Sequence, residues 1–213
     1  MSCPRIAAVA ISAVLSLVLA ADALAQVCIG LPADDGQISL QGMVGAGGSG
    51  SSYGGRLGMN FNTEYSLDLS IQRPRLESGL GMTISGKIAY EMPRYKPPVC
   101  MVFGVEHERR PLADGNEATA TMIPIGVGIG KRLGSAKSFS LALYVMPEYL
   151  YVVKPDPDGE FESYWDELGA RSEGRGTIGL LIATPLLFAS GSIAVATRDD
   201  FEPALSLGFG VTF

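Results

Sequence analysis

Near the end of the chain, Leu205, Leu207, Phe209, Val211 and Phe213 alternate with Ser206, Gly208, Gly210 and Thr212. Every second residue is large and apolar, and those between are small or polar. Side chains of a strand point alternately to its two faces, so this pattern predicts a strand with one apolar face. A helix, with its period of about 3.6 residues, would not produce it. The pattern recurs upstream. Tyr65, Leu67, Leu69 and Ile71 alternate with Ser66, Asp68, Ser70 and Gln72. Leu80, Met82, Ile84, Ile88 and Tyr90 share a face opposite Thr83, Ser85, Lys87 and Glu91, and Leu57, Met59 and Phe61 oppose Arg56, Gly58 and Asn60.

Ten strands are predicted, over about 37–47, 53–62, 64–74, 79–91, 98–107, 118–132, 138–153, 175–187, 190–198 and 203–213. Most approach the roughly 9–11 residues that a tilted strand needs to cross a bilayer. The first pair is the weakest, because Gly45 to Ser52 is a glycine–serine run with little pattern; eight strands are the alternative. Connections alternate in length. Those at 62–64, 92–97, 133–137 and 188–189 fall at one end and are mostly short. Those at 48–52, 75–78, 108–117, 154–174 and 199–202 fall at the other and include the two longest. An even strand number brings both termini to the short-turn end. Phe61, Tyr65, Tyr90, Phe139, Phe188 and Phe213 lie beside the short turns, and Tyr53, Tyr149, Tyr151 and Phe201 near the long loops. Two such rings are the aromatic girdles expected where an apolar band meets lipid headgroups.

The beginning of the chain departs from the pattern. Met1 to Arg5 carries one positive charge, Ile6 to Ala21 is almost wholly apolar, and Ala23-Leu24-Ala25 places small residues where a signal peptidase reads. These are the parts of a secretory signal peptide, with cleavage expected after Ala25. The apolar run of 16 residues is shorter than the roughly 20 that a membrane helix needs. The expected organisation is therefore a signal peptide at 1–25, a periplasmic N-terminal segment at 26–36 and a barrel at 37–213. No later apolar run suits a membrane helix, so a membrane span must be made of strands.

Alternation alone does not separate a membrane barrel from a soluble sandwich, in which the apolar face is the buried one. Export, strand length, loop asymmetry and the terminal Phe213 favour an all-β, antiparallel, up-and-down transmembrane barrel. In that register Arg56, Asp68, Lys87, Glu106 and Glu148 point into the lumen. Charges of both signs in a narrow barrel most simply pair and fill the interior, while a ten-stranded barrel leaves room for a thin water path.

The net charge of -6 argues against nucleic acid as a partner. Cys3 leaves with the signal peptide, and the remaining Cys28 and Cys100 form an even pair that suggests a disulfide in an exported chain. The single histidine, His107, sits in Glu106-His107-Glu108-Arg109-Arg110. It could form an acid–base pair with Glu106, but neighbours in a strand point to opposite faces. No catalytic residue, cofactor or metal is assigned. Loop 154–174 is acidic, with Asp156, Asp158, Glu160, Glu162, Asp166, Glu167 and Glu173 beside Tyr164 and Trp165. It lacks the ligand spacing of a calcium loop and reads as a solvated face.

The closing strand Ala204-Leu-Ser-Leu-Gly-Phe-Gly-Val-Thr-Phe213 resembles that of small bacterial outer-membrane barrels with OmpA-like or OmpX-like transmembrane domains. The resemblance implies a Gram-negative-type outer membrane with its lipids as surroundings, both termini periplasmic, and a terminal Phe213 read by the barrel-assembly machinery. Cys28-Ile-Gly-Leu-Pro32 also resembles the early Cys-x-Gly-x-Pro segment of uncharacterised barrel proteins that carry a second cysteine later. In this topology Cys28 and Cys100 are both periplasmic, so a bridge between them would pin the N-terminal segment across or beside the barrel mouth. The role implied is a structural or surface-interaction barrel. A small pore is the alternative, and a lipid-modifying enzyme the third reading. The outer-membrane protease, palmitoyltransferase and deacylase families use a histidine with carboxylates or a serine, and their arrangements are absent here.

Overall fold

The computed structural model describes residues 28–32, 36–47, 50–61, 64–76, 78–92, 95, 98–111, 117–134, 138–153, 173–197 and 203–213. The expected signal peptide, most of loop 154–174 and Phe201 lie outside them. The strands are β1 (Ile38–Gly47), β2 (Gly50–Asn60), β3 (Tyr65–Leu76), β4 (Gly79–Leu80), β5 (Met82–Met92), β6 (Val99–Pro111), β7 (Glu117–Gly134), β8 (Ser140–Val153), β9 (Glu173–Ala183), β10 (Leu187–Ala196) and β11 (Ala204–Thr212). Each pairs antiparallel with the next around the sheet, and β1 pairs with both β2 and β11. The β2–β3 pairing completes the ring. Two-residue β4 is an outlying piece of the fourth stave, set off from β5 at Gly81, whose N–H donates to the Pro74 carbonyl at 2.8 Å. The barrel therefore has ten staves and no open edge.

The alternation resolves as a barrel rather than a sandwich. Leu40, Val44, Leu69, Ile71, Ile84, Ile88, Phe103, Val105, Ile125, Val127, Ile193, Leu205, Leu207 and Phe209 are exposed on the outside. Their strand neighbours point inward and are buried or half-buried. Such an apolar belt suits lipid tails and is unsuited to water.

Three details differ from the expectation. The first connection is shorter than the expected 48–52: β1 reaches Gly47 as expected, and β2 begins at Gly50 rather than at about 53. Gly50 takes a φ of 115°, a conformation that favours glycine. The turn expected at 188–189 lies earlier, where Thr184 N–H donates to the Leu187 carbonyl at 2.8 Å across Pro185 and Leu186. Proline at the second turn position presets its φ. The shift turns Phe188 inward, where it is 4 % exposed among Ala142, Tyr144, Leu181 and Ala183. It is therefore not a girdle residue. Phe61, Tyr65, Phe139 and Phe213 at the turn end, and Tyr53, Tyr149 and Tyr151 at the loop end, do face outward and are exposed.

Candidate functional site

The lumen has two storeys. At the end that carries β1's start and β11's close, the chain before β1 enters the barrel. Cys28, Ile29, Gly30, Leu31 and Pro32 are all buried. Expected across or beside the mouth, this segment instead sits inside it. Cys28 is bonded to Cys100 on β6, with their Cα atoms 6.0 Å apart. Ile29 and Leu31 pack with Ala89, Val102 and Met146 from the wall. The wall holds the segment by polar contacts too. Arg56 donates from Nη2 to the Ile29 carbonyl at 2.5 Å and from Nη1 to the Gly30 carbonyl at 3.3 Å. Asn60 Nδ2 donates to the Pro32 carbonyl at 2.9 Å.

Space for this plug comes from glycines. A Cβ on Gly128 would stand 2.7 Å from atoms of Cys28, and one on Gly58 would stand 2.6 Å from Leu31. Gly30 itself lies under the ring of Tyr144 and has a φ of 68°. Side chains at these three positions would occupy volume that the plug or the wall already fills.

Above the plug lies a layer of charge. Arg56 binds Asp68 through two bonds, Nε–Oδ1 at 2.7 Å and Nη2–Oδ2 at 2.9 Å. This two-pronged geometry is the strong form of the contact. Lys87 Nζ donates to Glu148 Oε1 at 2.6 Å. Arg175 Nη2 reaches Glu148 Oε2 at 3.1 Å and Glu106 Oε2 at 3.2 Å. Three cations thus face three carboxylates, and the layer is neutral. The Glu148 side chain has no solvent exposure and is held by two cations. All five ionisable residues expected in the lumen are there. Arg175 was missed, although Glu148 and Arg175 are direct partners across β8 and β9.

From the long-loop end down past this layer to Ile29 of the plug, the lumen holds a cavity of about 390 Å³. The charge layer and hydroxyls of Ser52, Ser70, Thr83, Ser85, Thr177 and Ser192 contribute to its walls. Glu106 faces this interior, while His107 is exposed on the outside and contacts Thr121 Oγ1 at 3.1 Å. The barrel wall separates the two, so they do not form an acid–base pair. Among the described residues no group of three or more histidine, cysteine, aspartate or glutamate side chains is placed to hold a metal ion.

No protein-family model matches the chain, and no curated protein matches it. Solved structures with a similar course include the N-terminal β-barrel domain of OprF from Pseudomonas aeruginosa, with 16 % identity and a TM-score of 0.44, covering 84 % of this chain and 98 % of that one. The NanC porin is similar at 10 % identity and a TM-score of 0.39, covering 82 % of this chain and 98 % of its own. Omp33 of Acinetobacter baumannii is similar at 10 % identity and a TM-score of 0.35, covering 83 % and 97 %. Likeness at this level concerns the path of the chain and says nothing of activity.

Proposed function

We propose that this chain is an outer-membrane β-barrel with a structural or surface-presenting role, closed to permeation by its own N-terminal segment. The observation that carries the reading is the plug of Cys28–Pro32 beneath a neutral charge layer, inside a barrel whose exterior is apolar. A channel for solutes needs a continuous wet path; here the plug and the wall side chains around it fill the turn end, beneath a lumen lined by paired charges. The turn end with both termini is placed in the periplasm, where a disulfide is maintained. The long loops then face outward. Outer-membrane lipids surround the belt, and the barrel-assembly machinery is the proposed partner of β11 and Phe213. Catalysis is not part of the reading, since His107 and Glu106 face opposite sides of the wall.

One observation favours a second reading, a gated pore. The cavity runs from the loop end past the charge layer to Ile29, so the plug is what stands between it and the far side. Planar-bilayer recording decides between the two. The intact protein is expected to be silent. Conductance steps from the oxidised wild type would overturn the closed-barrel reading in favour of the pore. Migration in detergent gels before and after boiling tests the barrel itself: a folded membrane barrel shifts, and an unshifted protein found free in the periplasm would remove the membrane assignment.

A further inference from the structure

The outer surface carries an uneven distribution of charge at the long-loop end. On β3 the outward positions above Leu69 and Ile71 are Arg73 and Arg75. Register places Arg73 opposite Tyr53, Gln72 opposite Thr83, and Met82 opposite Arg109. Arg73, Met82 and Arg109 therefore form one lateral row across β3, β5 and β6. The row directly below is apolar over two of those strands, with Ile71 and Ile84. Among the described residues the far wall at this end shows Tyr149, Tyr151, Val195 and Leu205 outward. Among the described residues the outward arginines at this end thus gather in one sector, immediately above the lipid belt.

The arginines differ in how they are satisfied. Arg109 pairs with Glu117 on β7 in an exposed contact. Arg73 Nε is buried and makes no hydrogen bond among the described residues. Two-residue steps along a strand are about 7 Å and two strand spacings about 10 Å. Three guanidinium groups on long side chains can converge on one anion across that span. Arginine is the side chain best suited to a phosphate, which it grips with two parallel bonds.

From this row we infer a binding site for the phosphate-bearing headgroup of a lipid in the leaflet at the long-loop end. Arg73, Arg75 and Arg109 grip the phosphate, and the acyl chains lie down the strip formed by Leu69, Ile71 and Ile84. The inference rests on the membrane reading above, and fixes which sector of the barrel holds lipid and by what chemistry.

The test uses the full folded protein in phosphatidylcholine nanodiscs doped with diphosphoryl lipid A, or with the same lipid after removal of its phosphates. Retained lipid is measured by mass spectrometry after extraction into mild detergent. The wild type is expected to retain the phosphorylated form preferentially. Each arginine-to-glutamine change, R73Q or R109Q, is expected to lower that preference about five-fold. Glu117→Gln frees Arg109 and is expected to raise it. Equal retention of both lipids by an inserted wild type, or by wild type and the R73Q/R109Q variant, overturns the site while leaving the membrane reading intact. Displacement by inorganic phosphate alone also overturns it, since the acyl strip would then play no part. Failure to enter the nanodisc overturns the membrane reading, and the site with it.

Discussion

The two halves of the lumen are held by different physics. The turn-end half is packed around apolar clusters, Ile29 and Leu31 against Ala89, Val102 and Met146 on one side and Phe188 with Tyr144 and Leu181 on the other, with Asn60, Lys131, Arg132 and Ser140 also buried there. The middle is lined by charge, with every cation matched to a carboxylate. Apolar filling needs shape, and the glycines at 58 and 128 provide it. Charge filling needs pairing, and it tolerates the water-accessible cavity alongside. The loss of one side chain therefore has different consequences in the two halves. In the lower half it leaves a void; in the layer it leaves a buried ion without its partner.

Arg56 joins the halves. Its guanidinium binds Asp68 in the charge layer and two plug carbonyls below it. Variants that remove one mechanism at a time separate the two. The largest effect is expected from Cys28→Ser with Cys100→Ser. The bond closes a loop with a sequence separation of 72 residues, and its loss should cost about 4 kcal/mol in the chain-entropy account, read from the urea midpoint of unfolding. If that variant also conducts in a planar bilayer, the plug is the seal; if it stays silent, packing holds the plug without the tether. Next comes Glu148→Gln, which leaves Lys87 and Arg175 short of a charge partner. A loss of about 3 kcal/mol is expected for breaking a buried pair of this kind. An unchanged midpoint would show that cavity water solvates these cations well enough to make the layer dispensable.

Smaller again is Gly58→Val, which places atoms where Leu31 packs. Overpacking of this sort should cost about 1–3 kcal/mol. It should also raise protease cleavage near the plug while leaving the charge layer paired. His107→Ala should change stability by no more than about 0.5 kcal/mol, because its one described contact, to Thr121, is exposed. Lipid A from cells making this variant should have the same mass as from cells making the wild type; a difference would reopen the enzymatic reading.

The sequence made the walls legible wherever the two faces differ. β3, β5 and β11 alternate cleanly because one face meets the lipid belt and the other meets small or polar lumen groups. The pattern fails in β8 and β9 for a physical reason. Ala142, Tyr144, Met146, Leu150 and Leu181 face an interior that is itself packed with apolar side chains. Both faces of these strands therefore read as apolar, and the parity that would have put Arg175 inside is hidden by the run Leu180-Leu-Ile-Ala183. Phe188 was misplaced for a related reason: the expected turn fell four residues past Thr184, and facing followed the turn. Charged lumen residues such as Arg56, Asp68 and Lys87 were visible because they stand on the polar side of a regular alternation. That Cys28–Pro32 enters the lumen was not visible. Five short residues carry no period, and nothing in their order distinguishes lying across a mouth from entering it.

The tether between Cys28 and Cys100 carries a consequence for the order of events in the cell. Cys28 has no exposure and Cys100 only 2 %, with the wall on one side and the plug on the other. Neither an oxidising enzyme nor a reducing thiol can touch those sulfurs while the ring of strands is shut. The bond is then expected to form before the ring closes, with β1 to β5 already gathered into a covalent loop. A reductant is accordingly expected to break the tether in the unfolded protein and not in the folded one, which thiol labelling of each would check.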